Sequence, residues 1–366
     1  MGQIRELVGL RGVLAWWVVG GHLAYVFSQR IGELSFNRSA VDVFIVLSGF
    51  VIMSLLDTKQ EPFRPYIARR FMRLFPIYVV ILFVSAATLA IQQYGLAHAP
   101  FETERTAARI AALQAAQSDI LLHMAAHLPM LHGLVPTALI SKVDTSIIGQ
   151  AWSISVEWQF YLVAPLVYWG LTGDWRARLS VIAGALVLFA LSKVGPLSSN
   201  DAFIGGSVGW FAVGIFSYFG FKARERPWPV LVMMVGAALL AGFGVVAQAP
   251  GAVLWAGVML WLIGRVPKAI KPIVEMALTN RVAMTLGNIS YSTYVVHMLV
   301  IYLSMAALNK MQIASQAYGP LLIIMTIAGT AGLSFLGYYC VEKPGIDVGA
   351  QLARGRRGVL SAKPAR

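Results

Sequence analysis

Arg11 and His22 stand eleven residues apart inside the first apolar stretch, 7–27. At about 100° and 1.5 Å per helical residue, both side chains return to nearly one face, roughly 16 Å apart along the axis. That is about half the thickness of a bilayer core. An imidazole at such depth is costly in hydrocarbon unless it faces protein or a water-filled cavity. The pair therefore reads as a charge at the membrane edge and a base near the middle, facing a shared conduit.

Further residues suit the same conduit. Asp42 opens the second apolar stretch, where a carboxylate beside the helix of His22 can orient an imidazole and raise its basicity; capping its own helix start is the alternative. Glu157 lies near the outer end of the otherwise apolar run from Ala151, and an intramembrane acid is a functional candidate by default. Arg70 and Arg73, three apart and so on one helical face, follow Arg69 at the close of the basic loop 57–75. Guanidinium forks suit phosphate oxygens, while topogenic charge or a lipid headgroup anchor explains the cluster as well. Ser290, Tyr294 and His297 follow an i, i+4, i+7 pattern and make one polar stripe, for which interhelical glue is the structural explanation. Trp152 and Trp158 read first as interface aromatics.

The elements that must position these groups are membrane helices. The 366 residues are 58% hydrophobic and 12% charged, and the mean hydropathy of +0.70 lies far outside the range of soluble domains. Apolar windows at 7–27, 39–56, 75–94, 153–172, 177–194, 203–221, 228–247, 251–265, 284–308 and 318–341 predict an all-α polytopic protein of about ten spans. With both termini cytoplasmic, only Arg30, Arg38, Arg105, Arg109, Lys142, Lys193 and Lys310 fall outside, seven of 29 basic residues. That asymmetry obeys the positive-inside rule, so the net charge of +13 needs no nucleic-acid partner. A membrane domain over 1–345, a basic and disordered cytoplasmic tail over 346–366, and no appended soluble domain are expected. The single cysteine, Cys340, can form no intramolecular disulfide.

Between about 95 and 150 the chain leaves the membrane on the outer side, at a length that usually carries function or disorder. His123 and His127 share a helical spacing and His132 is near, but no Cys or HExxH pattern accompanies them. Incidental histidines on an interfacial helix are expected there, and no metal site. The chain also lacks a phosphate-loop glycine motif, a Gly-x-Ser-x-Gly elbow and a cysteine–histidine pair. A buried histidine, two carboxylates and an arginine cluster remain. They suit general-base acyl transfer to a hydroxyl from a phosphate-bearing donor.

The order of five elements resembles the acyltransferase-3 family of integral membrane acyltransferases. They are Leu10-Arg11-Gly12 with His22; Asp42-Val43-Phe44 with Leu47-Ser48-Gly49-Phe50; Arg69-Arg70-Phe71-Met72-Arg73 with Pro76; Trp152-Ser153 with Glu157 and Phe160-Tyr161; and Ile289-Ser290-Tyr291 with Tyr294 and His297. The closing Glu342-Lys343-Pro344 also fits, so the likeness runs from about residue 4 to 345. It implies a plasma (inner) membrane O-acyltransferase, most often an acetyltransferase, that moves acyl groups from cytosolic acyl-CoA to carbohydrate of the cell envelope. It also implies that Arg11 and His22 are essential, that Arg70 and Arg73, with Arg69, meet the acetyl-CoA donor, and that Trp152, Ser290, Tyr291, Tyr294 and His297 serve substrate binding. His22 would be general base or transient acyl carrier, with Glu157 and Asp42 orienting it or the acceptor. Where the family often has a second acid after the glutamate, this chain has Trp158. The competing reading is a proton-coupled transporter or glycan or lipid flippase using the same buried groups.

Overall fold

The structure is a computed structural model describing residues 4–223, 249–267 and 269–360. The protein is all-helical, 81% helix with no strand among the described residues. The chain runs α1 (Arg5–Phe27), α2 (Gln29–Leu34), α3 (Asn37–Lys59), α4 (Phe63–Ala87), α5 (Leu89–Ala97), α6 (Glu104–Ser118), α7 (Ile120–His127), α8 (Ala151–Thr172) and α9 (Trp175–Leu191). It continues through α10 (Val208–Lys222), α11 (Ala249–Leu262), α12 (Lys271–Thr279), α13 (Arg281–Asn288), α14 (Ser290–Lys310), α15 (Ser315–Gly337), a π-helical turn (Tyr338–Glu342) and α16 (Lys343–Leu360).

Six stretches among the described residues are long and apolar enough to cross a membrane: Arg5–Phe27, Gln29–Lys59, Phe63–Ala87, Ile204–Lys222, Ser290–Lys310 and Ser315–Arg354. The expected window 153–172 forms α8, whereas 177–194 gives the 17-residue α9 and 251–265 the 14-residue α11. The window at 228–247 lies outside the described residues. α9 is apolar yet has no buried residue, the condition of a helix whose solvent is lipid.

α14 is the axis of the bundle, with 89% of its most apolar window buried. α1, α4, α5 and α15 pack around it, α3 joins α1 to α10 and α11, and α8 closes the ring between α3 and α4. The tail expected to be disordered is helical as far as Leu360 and packs along α4. Gly345 and Gly349 allow that approach, since a Cβ at either would meet Met72 within 3 Å. Small residues let two backbones touch, which composition alone does not reveal.

The same device fixes Arg11. A Cβ on Gly287 would stand 2.1 Å from the carbonyl oxygen of Val8, and one on Gly12 would stand 2.7 Å from the Gly287 nitrogen. α1 and α13 thus meet backbone to backbone beside Arg11. Gly287→Ala must force them apart, at about 1 to 3 kcal/mol. Gly20→Ala on the same α1, with nothing within 4 Å, should be neutral. Thermal unfolding of the two variants in one detergent checks this, and equal midpoints would refute it.

Candidate active site

Two cavities lie end to end in the bundle. The first, about 230 Å³, is at the end where α1 starts and is lined by Arg11 of α1, Arg70 and Arg73 of α4, Glu157 and Tyr161 of α8, and Ser290, Tyr291 and Tyr294 of α14. Ser48 and Ser153 add hydroxyls, and the rest of its wall is apolar, including Phe44, Ile45, Val51 and Leu55 of α3. Glu157 Oε1 accepts a hydrogen bond from Ser48 Oγ at 2.7 Å and another from the Tyr161 hydroxyl. Arg70 lies 5.9 Å from the Tyr161 ring centre, and the Tyr291 hydroxyl donates to the Leu74 carbonyl at 2.9 Å. The cavity therefore combines guanidiniums, a hydrogen-bonded carboxylate and an apolar wall.

The second cavity, about 140 Å³, is at the end where α1 finishes. His22 faces it, together with Arg38, Arg105, Arg109, Trp152 and Tyr302. The two cavities approach each other along α8 and α14. Trp152 lines one and Ser153 the other; on α14, Tyr294 lines the first and Met298 the second. Ser153 Oγ and the Tyr294 hydroxyl, both facing the first cavity, share a 2.6 Å hydrogen bond. Buried His297 sits beside it, its ring 5.2 Å from that of His22 and 5.7 Å from that of Tyr294.

A family profile described as an acyltransferase domain matches residues 4–336. The chain belongs to the acyltransferase-3 family. Among curated proteins and among solved structures, none matches. This acyltransferase is a multi-pass membrane protein, and its residues can be placed one by one against the expectations for them.

Arg11, Arg70, Arg73, Glu157, Ser290, Tyr291 and Tyr294 come together in the first cavity of the acyltransferase. His22 does not join them, so the conduit expected to be shared is divided in this structure. Arg69 turns away from Arg70 and Arg73. It pairs with Glu61 and lines a separate pocket with Lys59 and Arg354, because adjacent helical residues diverge by about 100° while residues three apart converge. Asp42 lines neither cavity and neither orients His22 nor caps α3. It is buried one turn inside the helix and faces Arg38 Nε at 3.6 Å. Trp152, read as an interface aromatic, is 8% exposed beneath the Arg38 guanidinium, 4.1 Å from its ring centre. Trp158 packs on Phe71 at 5.7 Å.

The polar stripe does not meet one cavity as a unit, and His297 lines neither. Ser290 and Tyr294 face the first, whereas His297 is directed by its Nδ1 to the Tyr294 carbonyl at 2.7 Å. A carbonyl only accepts, so Nδ1 carries the proton and the lone pair is on Nε2. Nε2 has no hydrogen-bond partner among the described residues.

Sequence reasoning gave no site role to two acids of the acyltransferase. Glu342, 1% exposed in the π-helical turn, accepts from Ser292 Oγ at 2.6 Å and is within electrostatic reach of Arg73 and Arg11. The signal was the acid ending an apolar run before Lys343-Pro344, where a π-bulge often marks a functional position. Asp57 receives Tyr168 at 2.7 Å, Tyr218 at 2.5 Å and Lys222 at 2.7 Å, which ties α3 to α8 and α10.

His123, His127 and His132 are all buried. His123 Nδ1 meets Ser146 Oγ at 2.8 Å, and His127 stacks on His132 with centres 4.2 Å apart. No cluster of three metal ligands exists among the described residues. Burial pushes His127 down to about 4 from the ordinary 6.5. A pKa lowered by folding means that the unfolded segment binds more protons, so stability is full above 6.5 and lost as pH falls toward 4. The loss should reach on the order of 3 kcal/mol. Hydrogen exchange across 120–134, compared at pH 7 and pH 4.5 after correction for intrinsic rates, should show lowered protection; unchanged protection would refute it.

Proposed function

We propose that this acyltransferase moves an acyl group, most simply acetyl, from cytosolic acyl-CoA to a hydroxyl of an extracytoplasmic or lipid-linked carbohydrate. In this reading the chain crosses the plasma (inner) membrane about ten times with both termini in the cytosol. The first cavity then opens to the cytosol and the second to the outside. The observation that carries the reading is the back-to-back pairing of a three-guanidinium cavity with one that holds an imidazole. Phosphates of the donor would be held by Arg11, Arg70 and Arg73, which form charge-assisted bonds to phosphate oxygens. The thioester would lie toward Ser153 and Tyr294, along the roughly 16 Å that separates Arg11 from His22 on α1.

His22 takes the proton of the acceptor hydroxyl as its oxygen attacks the thioester carbonyl. The carbon–sulfur bond breaks, the thiolate of CoA leaves, and the imidazolium returns the proton to it. The new ester remains on the sugar. In this reading the Ser153–Tyr294 pair, at the end of the first cavity toward His22, parts where the two substrates meet. Glu157 stays hydrogen-bonded by Ser48 and Tyr161 and positions the donor side.

The test is thioester consumption: purified protein given acetyl-CoA and candidate glycans should release free thiol only when an acceptor is present. Two cavities facing opposite ends would equally serve alternating access in a transporter. Absence of thiol release with every acceptor, together with substrate-dependent proton flux in vesicles, would overturn the transferase reading in favour of that one.

A further inference from the structure

The second cavity is basic where topology gives no reason for it. Cytosolic arginines set orientation, but those outside do not, and three of the seven basic residues placed outside, Arg38, Arg105 and Arg109, converge here. Asp201 is the one carboxylate among the described residues that line it. Arg109 is committed to the fold, donating to the carbonyls of Thr145, of Ser146 at 2.9 Å and of Ile147 at 3.0 Å. Arg38 and Arg105 are different. Arg38, its side chain 46% exposed, lies over Trp152 and has only the buried Asp42 behind it. Arg105 is exposed and lies 5.6 Å from the Tyr25 ring centre. An aromatic face beneath a guanidinium holds the plane flat and leaves in-plane N–H donors for a carboxylate or phosphate.

Resting on the reading of this cavity as the acceptor site, we propose that the acceptor is an anionic sugar. Its carboxylate or phosphate is held by Arg38 and Arg105, and its hydroxyl is thereby presented to His22. The shared chemistry is an oxyanion near the accepting hydroxyl, as in a uronic acid or a glycosyl phosphate.

The full chain in lipid nanodiscs is titrated with three probes: a glucuronate-containing oligosaccharide, its carboxyl-reduced counterpart and glucose 1-phosphate. Binding is read by tryptophan fluorescence, since Trp152 lines the site, and CoA release is measured in parallel. At least one anionic probe should bind about tenfold or more tightly than the neutral one, as expected for a charge-assisted bond, and less so as salt rises. Preference for the carboxylate assigns a uronic acid, and preference for the phosphate a glycosyl phosphate; either supports the proposal. Arg38→Gln and Arg105→Gln should each erase most of the preference. Arg105 is exposed, so R105Q remains informative even where R38Q disturbs Asp42. Equal binding of neutral and anionic probes would overturn the proposal, as would CoA release at equal rates with both, which would leave the transferase reading intact. Anion preference without any CoA release would do the opposite.

Discussion

His22→Ala should leave a folded, membrane-inserted protein whose acyl transfer falls by about 10²- to 10⁴-fold, the contribution of a positioned general base. Two features make the loss specific. His22 is half-buried at a cavity surface and not in the core, so truncation leaves a cavity that water can fill. Donor binding should persist, because the guanidiniums that would hold it line the other cavity. The measurement is kcat with a saturating acceptor, beside acyl-CoA binding to the same preparation. Transfer near the unmodified rate in folded His22→Ala protein would remove the imidazole from the mechanism, and a parallel loss of donor binding would contradict the partition between the cavities.

The second large effect belongs to the arginines. Arg70→Gln with Arg73→Gln should raise the KM for acyl-CoA by about 10²-fold or more, since each charge-assisted bond to phosphate is worth about 1.5 to 3 kcal/mol. Arg69→Gln, one residue away, should leave that KM within a few-fold and show its cost as lower stability, because it strips the partner from Glu61, whose side chain is 1% exposed. The comparison separates a donor site from a general basic surface. If all three substitutions moved KM alike, the cluster would be acting through net charge and not through the face shared by residues 70 and 73. Raised salt should mimic the double variant in part, as screening weakens partly exposed pairs.

Much of this protein could be read from local pattern. Apolar windows gave the helices, with boundaries shifted where the backbone breaks: the window at 75–94 begins as early as Phe63 and is interrupted at Thr88, and the one at 284–308 divides between Asn288 and Ser290. The pairing of Arg70 with Arg73 needed only helical geometry. The tail has the composition of a disordered segment, while the part described, to Leu360, is helical, and Gly345 and Gly349 let its start lie against α4, a property visible only once α4 is beside it.

What the sequence determined by itself is therefore periodic and near in the chain: an all-helical membrane protein of the acyltransferase-3 family, and which residues share a helix face. What the tertiary structure decided is which cavity each face meets. Arg11 and His22 do lie on one helix, yet Arg11 lines one cavity and His22 the other, and the hydrogen bond that ties α8 to α14 beside the first joins Ser153 and Tyr294, 141 apart in sequence. Arg38 captures Asp42, and Glu342 comes within reach of Arg73. A rotation of 100° per residue carries only along one helix; the crossing of two helices depends on how closely their small residues let the backbones approach.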